Sequence, residues 1–393
     1  MKIGLERLQA DPSIAKHWGR CALVVNQASV TKEWKHSVHV CQEAFGKDRL
    51  VALMAPQHGV LGTVQDNMIE TEHDMTGSLP VYSLYSETRE PTEQMLQNVD
   101  TIVVDLQNVG CRVYTFKWTL VGCLRAAQKF DCRVVVLDRP NPLGGRYIEG
   151  PCVEEELFSF VGGHAVPMRH GLTLGEMGSL ANTKIHAEYD VVGIEGWNPE
   201  LDWSQDGRDW VLTSPNLPTL DTVLPYVGTV IFEGTNISEG RGTGMPFQLI
   251  GAPWVKDGDS LGRAICDAGL DQGLKMRSVG FMPTSGKWKD QECRGLHLKV
   301  TDIQKARMFA MSVVLCDQLK QQGGDRFAWK EPPYEYEYTK NPMKLILGTE
   351  ASMASLERGH VDLKQSLWTA GHEEYIESVQ SILKYPRSLE TLM

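Results

Sequence analysis

Five short apolar runs, rich in β-branched residues and continuous rather than alternating, constrain this chain more than any other feature. They are Cys21–Asn26 (CALVVN), Arg49–Ala55 (RLVALMA), Thr101–Leu106 (TIVVDL), Cys132–Asp138 (CRVVVLD) and a weaker one, Tyr189–Ile194 (YDVVGI). Uninterrupted apolar strands belong in sheets covered on both faces. Helical patterns separate them, at Ser37–Phe45, Thr92–Gln97, Phe116–Lys129 and Leu174–Asn182. The last opens on Thr173 with Glu176 three residues on, the spacing of a capping box. This alternation predicts an α/β fold with a parallel, doubly wound sheet.

The second half reads differently. Trp197–Thr222 is rich in Trp, Asp, Asn and Pro and reads as loop. Val227–Phe232 reads as a strand, followed by the Gly-rich stretch Glu233–Gly251. A helix over Leu261–Ala268, a strand over Leu296–Val300 and a helix over Gln304–Gln321 come next. At 393 residues, two or three domains fit. A boundary near Trp210 divides the chain into 1–210 and a smaller α/β unit, 211–393.

Charge and composition exclude several function classes. With 39 Lys+Arg against 50 Asp+Glu, the net charge of −11 speaks against a nucleic-acid partner. No apolar run approaches the roughly 20 residues of a membrane span. The segment Met1–Gly19 carries Asp11, Lys16 and His17 without an apolar stretch, so no signal peptide is expected. The nine cysteines are odd in number and form no C-x-x-C pair, which fits neither a disulfide framework nor a zinc ribbon. Reduced thiols point to a reducing compartment and a cytoplasmic location, with a mature exported form as the alternative. His36 and His39 lack a third ligand at suggestive spacing, so no metal is expected.

Chemistry-bearing residues cluster where the apolar runs end. The second runs into Pro56-Gln57-His58-Gly59, the third into Asp105-Leu106-Gln107-Asn108-Val109-Gly110-Cys111-Arg112, and the fourth into Asp138-Arg139-Pro140-Asn141-Pro142. In open α/β sheets the carboxyl edge is where ligands bind. A single cluster is equally well a rigid turn; three on one edge favour a site. His58, beside Gln57, is a candidate for acid–base work. Downstream lie Arg169-His170-Gly171, Ser214-Pro215-Asn216, the dense segment Glu233–Gly244 and Gly251-Ala252-Pro253-Trp254. The Gly-rich segment lacks a Gly-Lys-Ser/Thr ending and the dinucleotide spacing, so no nucleotide cofactor is expected. It brings Asn236, Glu239 and Arg241 onto a loop whose backbone can approach a ligand closely. Trp254 is a candidate sugar-stacking platform.

These segments, with Pro80–Tyr85 (PVYSLY), Asp138–Gly145 (DRPNPLGG), Glu149-Gly150-Pro151, Arg169–Gly175 (RHGLTLG), Ser214–Thr219, Glu233–Thr243 and Gly251–Trp254, resemble in order the exo-β-N-acetylmuramidase family. The resemblance runs from about Gly4 past Trp254 and continues more weakly to the C-terminus. It implies a Rossmann-like N-terminal domain, a smaller second domain closing a cleft, and no cofactor. It also implies hydrolytic removal of terminal N-acetylmuramic acid from the non-reducing end of peptidoglycan fragments. Members are often exported, so the location expected here departs from the family.

A second departure concerns the chemistry. The family pattern commonly has a glutamate before His-Gly, in the role of catalytic carboxylate, and an aspartate at the next strand end. Here the two positions hold Gln57 and Asn108. An amide cannot exchange the catalytic proton as a carboxyl does. An engineered substitution, a natural branch with its carboxylate elsewhere, or a catalytically silent or altered sugar-binding homologue would each fit. Two acid-to-amide changes favour a natural branch over one engineered change.

Glycoside hydrolysis ordinarily needs two carboxyl groups, one with a raised pKa. Asp105, Asp138, Glu239 and, just past the Gln57 loop, Asp66 or Glu70 are the candidates. If the substrate's acetamido oxygen attacks, one acid suffices and Gln57 can orient the acetamido group. Muramic acid also carries a lactyl carboxylate, for which Arg112, Arg139, Arg169 and Arg241 are candidate partners. Gln107, Asn141, His170, Asn216 and Asn236 complete the expected substrate-binding set.

Overall fold

The structure is a computed structural model and describes residues 1–59 and 79–392. Its strands are β1 (Cys21–Val25), β2 (Leu50–Ala55), β3 (Val81–Ser83), β4 (Thr101–Asp105), β5 (Arg133–Leu137), β6 (Tyr147–Ile148) and β7 (Glu188–Val192). Later come β8 (Leu249–Ala252), β9 (Leu274–Phe281), β10 (Cys293–Val300) and β11 (Glu390–Thr391). Among the described residues, six strands form one parallel sheet in the order β3-β2-β1-β4-β5-β7. Each of the five apolar runs of the first half is a strand, to within one or two residues.

Their continuous apolar character follows from double coverage. Leu23, Val103 and Val135 pack with helices α1 (Gly4–Ala10) and α2 (Ser37–Phe45) on one face. Their neighbours Val24, Ile102, Val104 and Val134 join the core containing α4 (Phe116–Phe130) and α5 (Leu174–Ile185) on the other. The short α3 (Glu93–Leu96) precedes β4. Thr173 caps α5, accepting from the Glu176 backbone N–H while the Glu176 side chain returns to Thr173, so the capping box forms. His36 is the N-cap of α2, its ring accepting from the Val38 N–H.

One expectation fails. Val227–Phe232 is not a strand: it lies in α6 (Leu220–Thr229) and the 3-10 turn Val230–Gly234 that follows. A short buried apolar run carries no periodicity that separates helix from strand. Packing decides here: α6 lies against α8 (Met308–Gly323), and a Cβ at Gly228 would collide with the Met308 carbonyl. Between them in sequence, α7 (Gly258–Asp267) covers the antiparallel sheet β8-β10-β9. The chain then returns to the first half: β11 pairs with β6, Tyr385 donates to Asp138 (2.7 Å), and Arg387 pairs with Glu176 (2.6 Å). No helix among the described residues is long and apolar enough to cross a membrane.

Candidate active site

At the carboxyl edge of the large sheet, three strand ends converge on one side chain from the second half. Gln57 follows β2, Tyr85 follows β3, and Thr115 ends the loop after β4. Thr115 Oγ1 donates to Gln57 Oε1 (2.6 Å), and Gln57 Nε2 donates to Tyr85 Oη (3.0 Å) and to Glu335 Oε1 (3.3 Å). Tyr85 donates to Glu335 Oε2 at 2.6 Å. His58 lines the same cavity, as do Ser214, Asn216, Tyr226, Phe247 and Tyr334. His58, Glu335 and Tyr336 have φ of 74°, 46° and 65°. A left-handed backbone costs a non-glycine residue of order 1 kcal/mol, and such residues cluster at functional sites.

Two carboxyl groups share the cavity. Glu335 is 4% exposed; burial, reinforced by the charge of Glu233, pushes its pKa up to about 7 against the hydrogen bonds from Tyr85 and Gln57. Glu233 pairs with Arg241 Nη2 (2.7 Å) and accepts from Tyr334 Oη (2.7 Å). Burial holds the Tyr334 phenol protonated, and so a donor. Arg241 also reaches Glu239 (3.2 Å), which pairs with Lys287 (2.8 Å). Burial alone would raise the Glu239 pKa, but Lys287 and Arg241 bring it down to about 2. A second hollow shares Glu233 and Arg241 with the first and adds Glu239, Asn236, Lys287 and Lys330.

The structure therefore gathers Gln57, His58, Asn216 and Arg241 in one cavity, with Glu239 and Asn236 on its flank. Asn236 spends its side chain on the Arg326 carbonyl (2.8 Å) and the Ala328 N–H (3.1 Å). The other strand-end candidates are structural. Asp105 is fully buried in a two-pronged pair with Arg139 (2.5 and 2.8 Å) and also accepts from Ser37, so neither member of the pair is offered to this cavity. Asp138 is spent on Thr173 (2.7 Å), the Gly175 N–H (2.9 Å) and Tyr385; burial raises its pKa to about 6.

The buried cations also serve the fold. Arg112 donates to the carbonyls of Pro151 (3.0 Å) and Ile346. Arg169 pairs with Glu149 (3.2 Å) and donates to Leu143 O (2.7 Å). Gln107 donates to the Asn108 and Pro140 carbonyls (2.7 and 2.9 Å), and Asn141 ties its own turn to Leu172 O (3.1 Å). His170 is fully buried, accepting from the Leu172 N–H (3.1 Å), and burial holds its pKa well below the usual range. Trp254 packs against Trp288 (6.0 Å) in the interior rather than offering a stacking face. Asp66 and Glu70 lie outside the described residues.

The residues that sequence reasoning missed are Glu335, Tyr334 and Tyr85, together with the pairing role of Glu233. A signal for two of them was present: Pro332-Pro333-Tyr334-Glu335-Tyr336-Glu337-Tyr338 interleaves tyrosines and acids directly after a rigid dipeptide. Gln57 spends both ends of its amide on Thr115, Tyr85 and Glu335, so it orients Glu335 rather than a substrate amide. A protonatable carboxyl and an ion-paired carboxylate in one cleft are the parts of a glycosidic acid and its charge-stabilising partner.

Two family models match consecutive stretches: exo-beta-N-acetylmuramidase NamZ, N-terminal, over residues 21–221, and its C-terminal counterpart over residues 224–385. The peptidoglycan beta-N-acetylmuramidase NamZ of Bacillus subtilis (strain 168) is 41% identical over 310 residues, 78% of this chain and 74% of that protein. Crystal structures of two DUF1343 family proteins from Bacteroides fragilis NCTC 9343 share the fold. One aligns with TM-score 0.86 and 28% identity, over 98% of this chain and 99% of the other. The second has TM-score 0.74 and 24% identity, over 99% of each chain.

Proposed function

This chain belongs to the exo-β-N-acetylmuramidase NamZ family, and we propose that it is an exo-acting glycoside hydrolase that removes terminal N-acetylmuramic acid from the non-reducing end of peptidoglycan fragments. One observation carries the mechanism: Glu335 and Glu233 line one cavity in unlike environments. Glu335, with its pKa near 7, donates a proton to the glycosidic oxygen as the C1–O bond breaks. Glu233, fixed by Arg241 and Tyr334, faces the developing positive charge at C1. Water then adds its oxygen at C1 and yields a proton that restores Glu335, and the freed amino sugar makes this a step of cell-wall recycling.

A catalytically silent sugar-binding homologue, the reading that Gln57 invites, finds no support. The related Bacillus protein is named as a hydrolase, and Gln57 stands beside a protonatable carboxyl instead of leaving the site without one.

Purified protein should release 4-nitrophenol from 4-nitrophenyl β-N-acetylmuramide. Glu335→Gln should lower kcat by about 100-fold or more, the usual worth of a positioned general acid. Absence of turnover by the unaltered protein, or a Glu335→Gln variant working at full rate, sinks the reading.

A further inference from the structure

The charged groups around Glu233 are matched except for one. Arg241 is paired with Glu233 and Glu239. Lys287 gives its three protons to Glu239 (2.8 Å), Phe232 O (2.7 Å) and Ile237 O (3.0 Å). Two acids and two bases thus close a neutral quartet. Lys330 lines the same hollow and has no ion-pair partner among the described residues.

Its position is built. The Lys330 N–H donates to the Gly234 carbonyl (2.9 Å), which sets the residue beside Glu233. Its ammonium lies 5.3 Å from the ring centroid of Tyr334, the residue whose hydroxyl holds Glu233. A half-exposed cation with a fixed backbone and no carboxylate leaves the hollow next to Glu233 with one unit of positive charge.

We infer that Lys330 is a specificity-determining residue that receives the carboxylate of the substrate's lactyl ether, the group that distinguishes muramic acid from glucosamine. This rests on the muramidase reading, since it assigns the part of the sugar that faces the shared hollow. Lys330 donates a charge-assisted hydrogen bond to that carboxylate, stronger than one between neutral groups. The interaction is the same before and during bond cleavage, so it acts on KM and leaves kcat alone.

The test combines kinetics and binding. Lys330→Gln should raise KM for 4-nitrophenyl β-N-acetylmuramide at least tenfold with kcat within about twofold, 1.4 kcal/mol being a factor of ten. Lys330→Arg should retain most of the affinity. The lactyl methylamide of the same substrate should show no dependence on residue 330. Calorimetry should show N-acetylmuramic acid binding weakened by Lys330→Gln and N-acetylglucosamine binding unchanged. Turnover without dependence on Lys330, or an equal loss on the methylamide, overturns the inference and leaves the muramidase reading standing. Lys330-dependent binding without turnover does the reverse. No binding of N-acetylmuramic acid by the unaltered protein overturns both.

Discussion

Tyr85 donates its phenolic hydrogen to Glu335 across 250 positions of sequence, with 2.6 Å between the oxygens. This bond ties the carboxyl edge of the parallel sheet to the second half of the chain. It also tempers the acid: burial drives the Glu335 pKa up, and Tyr85 is the largest opposing influence.

Removing that donor should therefore raise the pKa further. In Tyr85→Phe the alkaline limb of kcat/KM against pH, near pH 7 in the unaltered protein, should move upward by about one unit, because the proton needed for catalysis is held to higher pH. A limb that stays put or moves down would detach Glu335 from the rate.

Glu335→Gln should stabilise the fold at high pH while lowering activity. The folded pKa of about 7 exceeds the ordinary 4.5, so the stabilising contribution of the proton is full at low pH and lost as pH rises through 7. At pH 9 the variant should exceed the unaltered protein by roughly 1–3 kcal/mol, since one pKa unit is about 1.4 kcal/mol. Thermal unfolding at pH 5 and pH 9 measures the difference, which should shrink at the lower pH.

Gln57→Glu would place a second carboxyl 3.3 Å from Glu335 Oε1, where the amide now donates. Two carboxyls that close titrate as a coupled pair, and one apparent pKa rises. The alkaline limb should shift up by a unit or more with turnover retained; an unchanged profile would mean that the two groups do not face each other.

Asp105→Asn tests the structural assignment at the third strand end. The Asp105–Arg139 pair is buried, and breaking such a pair costs about 3–5 kcal/mol. The melting temperature should fall, while kcat per folded molecule at low temperature stays within about twofold. A large loss of kcat with an unchanged melting temperature would return Asp105 to the catalytic set.

Arg241→Met should be costly in both respects, because it strips two buried carboxylates of their shared partner. A loss of about 3–5 kcal/mol is expected from denaturant unfolding. Activity should fall even in the fraction that remains folded.

Local pattern was enough to read the strands and helices of the first half. Val103 and Val104 point to opposite faces and meet apolar partners on both, so the run TIVVD needs no knowledge of the rest of the chain to declare itself. The Thr173–Glu176 capping box is equally local. Val227–Phe232 reads as a strand yet folds as helix, because an apolar run of that length is compatible with either state until α8 packs against it.

The site divides along the same line. Strand-end polarity points to the carboxyl edge of the sheet, and Gln57, His58 and Arg241 line one cavity there. It could not separate them from Asp105, Arg139 and Asp138, which have the same residue types at equivalent strand ends but find their partners inside the protein. Nor could it choose Glu335. A carboxyl becomes an acid through the surroundings that desolvate it and the donors that touch it. Those come from Gln57, Tyr85 and Glu233, residues brought together only when the two halves close. The order of apolar and polar residues along the chain determined the sheet and the polar clusters at its carboxyl edge; tertiary contact, by setting burial and charge pairing, decided which of those side chains share a cavity and which are spent inside the protein.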